Sequence, residues 1–261
     1  ALTTADVAAI TTADIKNLSA NALLGLNAEQ MGSLTAAQIG ALGTAQIAGL
    51  AASQVAGLST AAVVALSSTQ IGQLSAAQVA AMSNAQLAAI ETADIKSLST
   101  AALRQLSAEQ VAGMGTAQLT AFTTAQAAAL TTAQLNGLDT AHLNALGSAQ
   151  FVAFTSAQVA GLTADQVAKL ETADLAALGT AAIKGLGVDA MALLSTAQVA
   201  ALTSAQVAVL SSNQLAALST ADVAAIETAD VKALGTAALA GLSHDQMGSL
   251  TTAQILALGT A

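Results

Sequence analysis

Ser195-Thr196-Ala197-Gln198-Val199-Ala200-Ala201-Leu202 is the stretch that decides the fold, because the chain is this octapeptide rewritten without a break. From Thr3 to Leu258 the sequence divides into 32 consecutive octads with no insertion or deletion. With Ser195 as position 1, every position 8 is Leu, Ile, Met or Phe, and every position 5 is large and apolar except Ala127. Position 1 is mostly Ser, Thr or Gly, and position 4 is Gln or Asp in 25 of the 32 octads. That spacing predicts a helix start. A position-1 hydroxyl can accept from the position-4 amide while the position-4 side chain reaches back to the position-1 N–H, as in a capping box. Position 8 of one octad and position 5 of the next then stand where a hydrophobic staple needs them. Each octad therefore reads as one short helix of about one and a half turns followed by a corner.

One continuous helix does not fit the period. Eight residues advance an α-helix by about 800°, so a fixed octad pattern drifts by roughly 80° per repeat and no apolar stripe persists. A β-solenoid is the alternative fold, but its strands would need strict alternation, whereas the anchors are spaced three and then five apart and Ala and Gln are weak strand formers. The expected architecture is an all-α solenoid of very short helices, residues 3–258 forming a single continuous array. At about 9 Å per coil, two octads per coil would give a rod of about 150 Å and three a rod of about 100 Å. The octad pattern alone leaves both open.

Composition narrows the partners. The formal net charge is -9 with six Lys plus Arg among 261 residues, so no basic stripe exists to track nucleic acid or an anionic membrane. Ser, Thr or Gln interrupts every octad except 187–194, which carries Asp189 instead, and this precludes a membrane span. Cysteine is absent and disulfides with it. Alanines at positions 3, 6 and 7 allow close approach of neighbouring helices. Gly at position 7, as in Gly57, Gly113, Gly161 and Gly185, is expected to take a left-handed conformation that ends one helix before the next begins. The opening Ala1-Leu2-Thr3, without Met or a signal pattern, reads as a processed product or a segment of a longer chain.

A longer period overlies the octads. Those starting at Thr11, Glu91, Glu171 and Glu227 read TTADIKNL, ETADIKSL, ETADLAAL and ETADVKAL, and each is followed by an octad with Ala at position 4, namely Ala22, Ala102, Ala182 and Ala238. Such a cassette points to duplicated blocks and to a decorated coil.

No catalytic, cofactor-binding or metal site emerges. Asp6, Asp14, Asp94, Asp174, Asp222 and Asp230 all occupy position 4, where Asp reads as a capping substitute for Gln; calcium would need several oxygen ligands converging within a dozen residues. Lys16, Lys96, Lys184, Lys232 and Arg104 share position 6, an edge expected to face solvent and to offer ion pairs to neighbouring coils. His142 and His244 have no ligand-spaced partner, and Phe122, Phe151 and Phe154 fall on anchor positions as core. Thr fills about half of the position-2 sites, and a rank of hydroxyls on a flat face would suit ice or another lattice. Ala20, Ala28, Ala36, Ala52, Asn84, Val188 and His244 break that rank.

Runs such as STAQVAAL-TSAQVAVL (195–210) and GTAQIAGL-AASQVAGL (43–58) resemble octapeptide tracts of large secreted or surface-anchored bacterial proteins, some adhesin-like or RTX-associated. The glycine-aspartate nonapeptides of RTX calcium-binding tracts are missing, so calcium dependence does not carry over. The resemblance implies an extracellular, non-enzymatic scaffold: a rod, stalk, sheath or self-assembling filament whose partners are copies of itself or a cell envelope. An ice-binding or adhesive Thr/Ala face is the alternative.

Overall fold

The computed structural model describes residues 2–258. Among them lie 31 α-helices and one 3-10 helix, each four to seven residues long, and no strand. The chain is an all-α repeat solenoid, and the β-solenoid alternative falls away.

The octad folds by the capping logic of its sequence. Ser195 is extended (φ -78°, ψ 154°), its hydroxyl accepts the Gln198 N–H at 3.2 Å, and Gln198 Oε1 accepts the Ser195 N–H at 2.9 Å. Val199 N–H then donates to the Ser195 carbonyl at 3.0 Å, and Leu202 N–H to the Val199 carbonyl at 3.2 Å, a tighter last turn. Where position 1 has no side-chain oxygen, the glutamine half of the cap persists: Gly43 N–H donates to Gln46 Oε1 at 2.7 Å.

The corner needs no left-handed residue. Leu42 (φ -65°, ψ 140°) and Gly43 (φ -73°, ψ 158°) turn the chain with two extended residues, a conformation open to any side chain. Gly57, Gly113 and Gly161 have φ of -77°, -80° and -83°, and among the described residues the one positive φ, 33°, belongs to Gly147. The left-handed expectation for position 7 is therefore corrected. Glycine serves there because coils touch. A Cβ at Gly185 would lie 2.2 Å from the Ser156 carbonyl oxygen, and one at Gly57 2.4 Å from that of Ala28, in each case across to the preceding coil. Gly185→Ala is expected to destabilise by about 1–3 kcal/mol, since backbone must move. Gly179→Ser meets nothing within 4 Å and can accept the Ala182 N–H as Ser99 accepts that of Ala102 at 3.1 Å. It should gain a few tenths of a kcal/mol. Urea unfolding of the two variants checks the contrast.

Packing settles the coil. Helix Ala36–Ala41 packs against Thr12–Ile15 and against Thr60–Val64, the helices three octads before and three octads after it, so three octads complete one turn. The contacts divide the described residues into two compact units, separated in sequence between Leu130 and Thr131. In the first unit the stack Thr4–Ala8, Ala28–Gly32, Ala52–Ala56, Ala76–Ala80, Thr100–Gln105 and Thr124–Ala129 runs along one side. In the second, Thr132–Asn136, Ser156–Ala160, Thr180–Ile183, Ser204–Val207, Thr228–Val231 and Thr252–Leu258 do the same. Two further stacks complete each unit.

Both anchors point inward. Val79, Leu87 and Ile95 at position 5 are fully buried, and Leu74, Met82 and Ile90 at position 8 nearly so. Full burial of such a side chain contributes about 1.5–3 kcal/mol. Phe122, Phe151 and Phe154 are buried as expected, the last two with ring centroids 4.7 Å apart at 43°. Beside this pair the corner is irregular: Leu146 has ψ 3°, Gly147 adopts its positive φ, and helix Gly147–Phe151 starts one residue early.

Candidate functional site

The chemistry most repeated in the interior is the position-4 glutamine. Most of these side chains are buried, although an amide without hydrogen bonds would be costly there. Both ends of the amide are engaged. Gln78 Oε1 accepts the Ser75 N–H at 2.7 Å, while Nε2 donates to the Ile47 carbonyl at 3.0 Å and the Leu50 carbonyl at 2.8 Å. Those acceptors stand at positions 5 and 8 of an octad in the preceding coil. The same pattern recurs at Gln46, Gln54, Gln70, Gln86 and Gln118 in the first unit and at Gln166, Gln198, Gln206 and Gln214 in the second. The glutamine thus caps its own helix and ties the corner below it. It answers the position-8 carbonyl, which lies beyond the helix, and adds a second donor to the position-5 carbonyl, which already accepts the position-8 N–H. A sequence signal for this second role exists: Gln, which carries both an acceptor and N–H donors, fills position 4 in 19 of the 32 octads, whereas Glu, the usual capping-box acid, never does.

Asparagine at position 6 makes an outer version of the tie, Asn136 Nδ2 to the Gly161 carbonyl and Asn144 Nδ2 to that of Lys169, both at 3.1 Å.

The aspartates divide into two groups. Asp6, Asp14 and Asp222 cap their own helices, as expected; Thr11 Oγ1, for instance, donates to Asp14 Oδ2 at 2.6 Å and accepts the Asp14 N–H at 3.1 Å. The Thr3 amide, then its hydroxyl, hold the Asp6 carboxyl below the usual carboxylate range. Asp94, Asp174 and Asp230 do not cap, and here the sequence expectation is corrected. Their octads begin with Glu91, Glu171 and Glu227, whose side chains make no cap bond and supply no hydroxyl donor. Each buried aspartate instead accepts a serine hydroxyl from position 2 of the coil below: Ser68 to Asp94, Ser148 to Asp174 at 2.9 Å, and Ser204 to Asp230. The cassette is a place where a hydroxyl–carboxylate clasp replaces the amide tie. Ala102, Ala182 and Ala238 in the following octads fill the corner with a buried methyl group.

The remaining candidates stay apart. Among the described residues no three His, Asp or Glu side chains converge as a metal site would require. Lys16, Lys96, Lys184, Lys232 and Arg104 are exposed, and the ion pairs expected of them do not form; among the described residues the one ion pair is His142 Nδ1 to Asp139 Oδ1 at 2.7 Å. Asp139 is the N-cap of that octad, accepting the His142 N–H at 2.9 Å, and the His142 amide, then its ring, hold its carboxyl below the usual range. His142 completes a cap. His244 is exposed. No described helix is long and apolar enough to cross a membrane.

Positions 1 to 3 are exposed through most of the chain, and the three-octad coil sorts the position-2 rank into stacks. Ala20, Ala28, Ala36, Ala52 and Asn84 all fall in the first unit. In the second, Val188 and His244 fall in two of the stacks, and the third carries Thr132, Ser156, Thr180, Ser204, Thr228 and Thr252 with no break.

A coil of three capped helices, tied by buried amides and repeated without insertion, defines an α-solenoid repeat protein. Residues 53–84, 87–124, 127–164, 136–172, 167–204, 191–220 and 223–260 match the ALTTAQ repeat, and the chain belongs to that repeat family. Among curated proteins none matches it.

Proposed function

We propose that this chain is a non-enzymatic structural scaffold held outside a bacterial cell, contributing to a rod, stalk, sheath or filament and associating with copies of itself. The observation that carries the reading is the glutamine ladder. Buried polar ties joining coil to coil stiffen an array and fix its register, a property that serves load-bearing or spacing better than catalysis. The exposed positions carry mainly small hydroxyl and alanine side chains, which suit a surface that packs against copies of itself. Negative-stain microscopy of the purified chain, with antibody labelling of intact cells of the source organism, tests both halves. Filaments or laterally joined rods and surface labelling are expected. Monodisperse particles that never associate, or labelling only after lysis, would remove the self-assembly and the surface location respectively.

The unbroken Ser/Thr stack of the second unit favours a second reading, an adhesive or ice-binding face. Inhibition of ice recrystallisation at micromolar concentration, lost in Thr180→Leu, would promote it.

A further inference from the structure

The corner at Asp174 lacks an N–H donor that the glutamine corners have. In the same unit Gln166, Gln198 and Gln206 each donate Nε2–H to a position-8 carbonyl of the preceding coil, those of Leu138, Leu170 and Leu178, at 2.8, 3.0 and 2.8 Å. At position 174 the equivalent carbonyl, that of Leu146, is not left waiting: Leu146, with ψ 3°, is the N-cap of helix Gly147–Phe151, and its carbonyl faces into that helix. Asp174 is 2% exposed, and Ser148 Oγ donates to its Oδ1 at 2.9 Å. Its Oδ2 is buried with no hydrogen-bond partner. A carboxylate only accepts, so in the ionised form that oxygen stays unpaired, which is costly in a buried place. A proton on Oδ2 removes the buried charge and leaves the Ser148 bond in place.

We propose that Asp174 is a proton-operated clasp between successive coils: neutral, it holds helix Thr172–Ala177 to the coil below through Ser148 with no buried charge, and ionised, it keeps that bond but leaves a charged oxygen buried and unpaired. The surroundings favour the neutral form. Burial, the largest influence, pushes the carboxyl above its usual value of 3.8, the Ser148 hydrogen bond opposes that rise, and the negative charge of Glu171 adds to it. The helices packed on either side, Gly147–Phe151 and Thr196–Ala200, bring no titratable side chain, and Lys169 and Asp165 in the octad before are exposed. Because the folded-state pKa is raised, the contribution of this clasp is complete below the unfolded value and is lost as pH rises through the folded one. Regulation of this kind is independent of what the solenoid supports or binds.

Asp174→Asn is the test, since its amide is a permanently neutral group of the same shape whose oxygen can still accept the Ser148 hydroxyl. Thermal unfolding of the full chain and the variant is compared between about pH 3.5 and 7.5. At neutral pH the variant should melt higher by about 2–4 °C, and the gap should close on acidification. A gap that is absent throughout, or that widens in acid, overturns the proposal. The wild-type chain gives a second readout by carbon-13 detection of aspartate carboxyl groups. One group should titrate above 3.8, and Ser148→Ala should move it higher by removing the bond that favours its charge. Absence of such a group, or a downward move, would also overturn it.

Discussion

Gln78→Glu is expected to open the corner it occupies at neutral pH, although the change alters one atom of the side chain. Glu can still cap Ser75 through an oxygen. It cannot donate to Ile47 and Leu50, which currently receive Nε2–H bonds at 3.0 and 2.8 Å. The buried Leu50 carbonyl would lose its donor, at about 1–3 kcal/mol, the Ile47 carbonyl would keep only the Leu50 N–H, and both would face a carboxylate in addition. A total of about 4 kcal/mol or more places this substitution among the severe ones. Amide exchange should show the loss concentrated in the helices on either side of the corner, Ala52–Ala56 and Ala76–Ala80 among them, because each coil of a solenoid contacts only its neighbours. Acid should rescue it partly: burial raises the pKa of the new carboxyl, so the stabilised form is the protonated one, present at low pH and lost as pH rises. Uniform exchange across the array, or no loss of protection, would mean the amide ties are incidental.

Leu202→Asp should be at least as damaging. Leu202 is 3% exposed at a corner between two helices, and a carboxylate there has neither a partner nor water. Such substitutions cost upward of about 4 kcal/mol. Lys232, exposed and outside any ion pair among the described residues, should tolerate Ala within about 0.5 kcal/mol. Chemical denaturation of the two variants distinguishes them, and equal tolerance would mean that the buried face is assigned to the wrong side of the octad.

These substitutions separate what could be read locally from what could not. Leu202 is legible as an anchor from the recurrence of Leu, Ile, Met or Phe at position 8. The cap between Ser195 and Gln198 is legible too, since both of its partners lie in one octad. The donor side of the glutamine is only half legible: the preference for Gln over Glu at position 4 points to a donor, the six aspartates there obscure it, and nothing in the octad says where it points. Gly185 reads as a helix terminator by habit, while its cause is the Ser156 carbonyl of the preceding coil. Asp174 shares its position with Asp14 and Asp222. It differs because Glu171 replaces the hydroxyl at position 1 and Ser148 stands in the coil below. The constant offset from Ser68, Ser148 and Ser204 to the three cassette aspartates was present in the sequence, and it acquires meaning once the coil is known to take three octads.

By itself, then, the sequence determined the short capped helix, the corner that follows it and the side that is buried, because the hydrogen bonds and staples responsible connect residues within one octad or across its edge. The tertiary structure decided the number of octads per coil, the destination of each glutamine amide and the serine–aspartate clasps. Those contacts join one coil to the next, and a chain of near-identical octads presents the same residue types to a coil of two octads as to a coil of three. Only the packing of the small side chains and the reach of Gln from one corner to the next discriminate between the two.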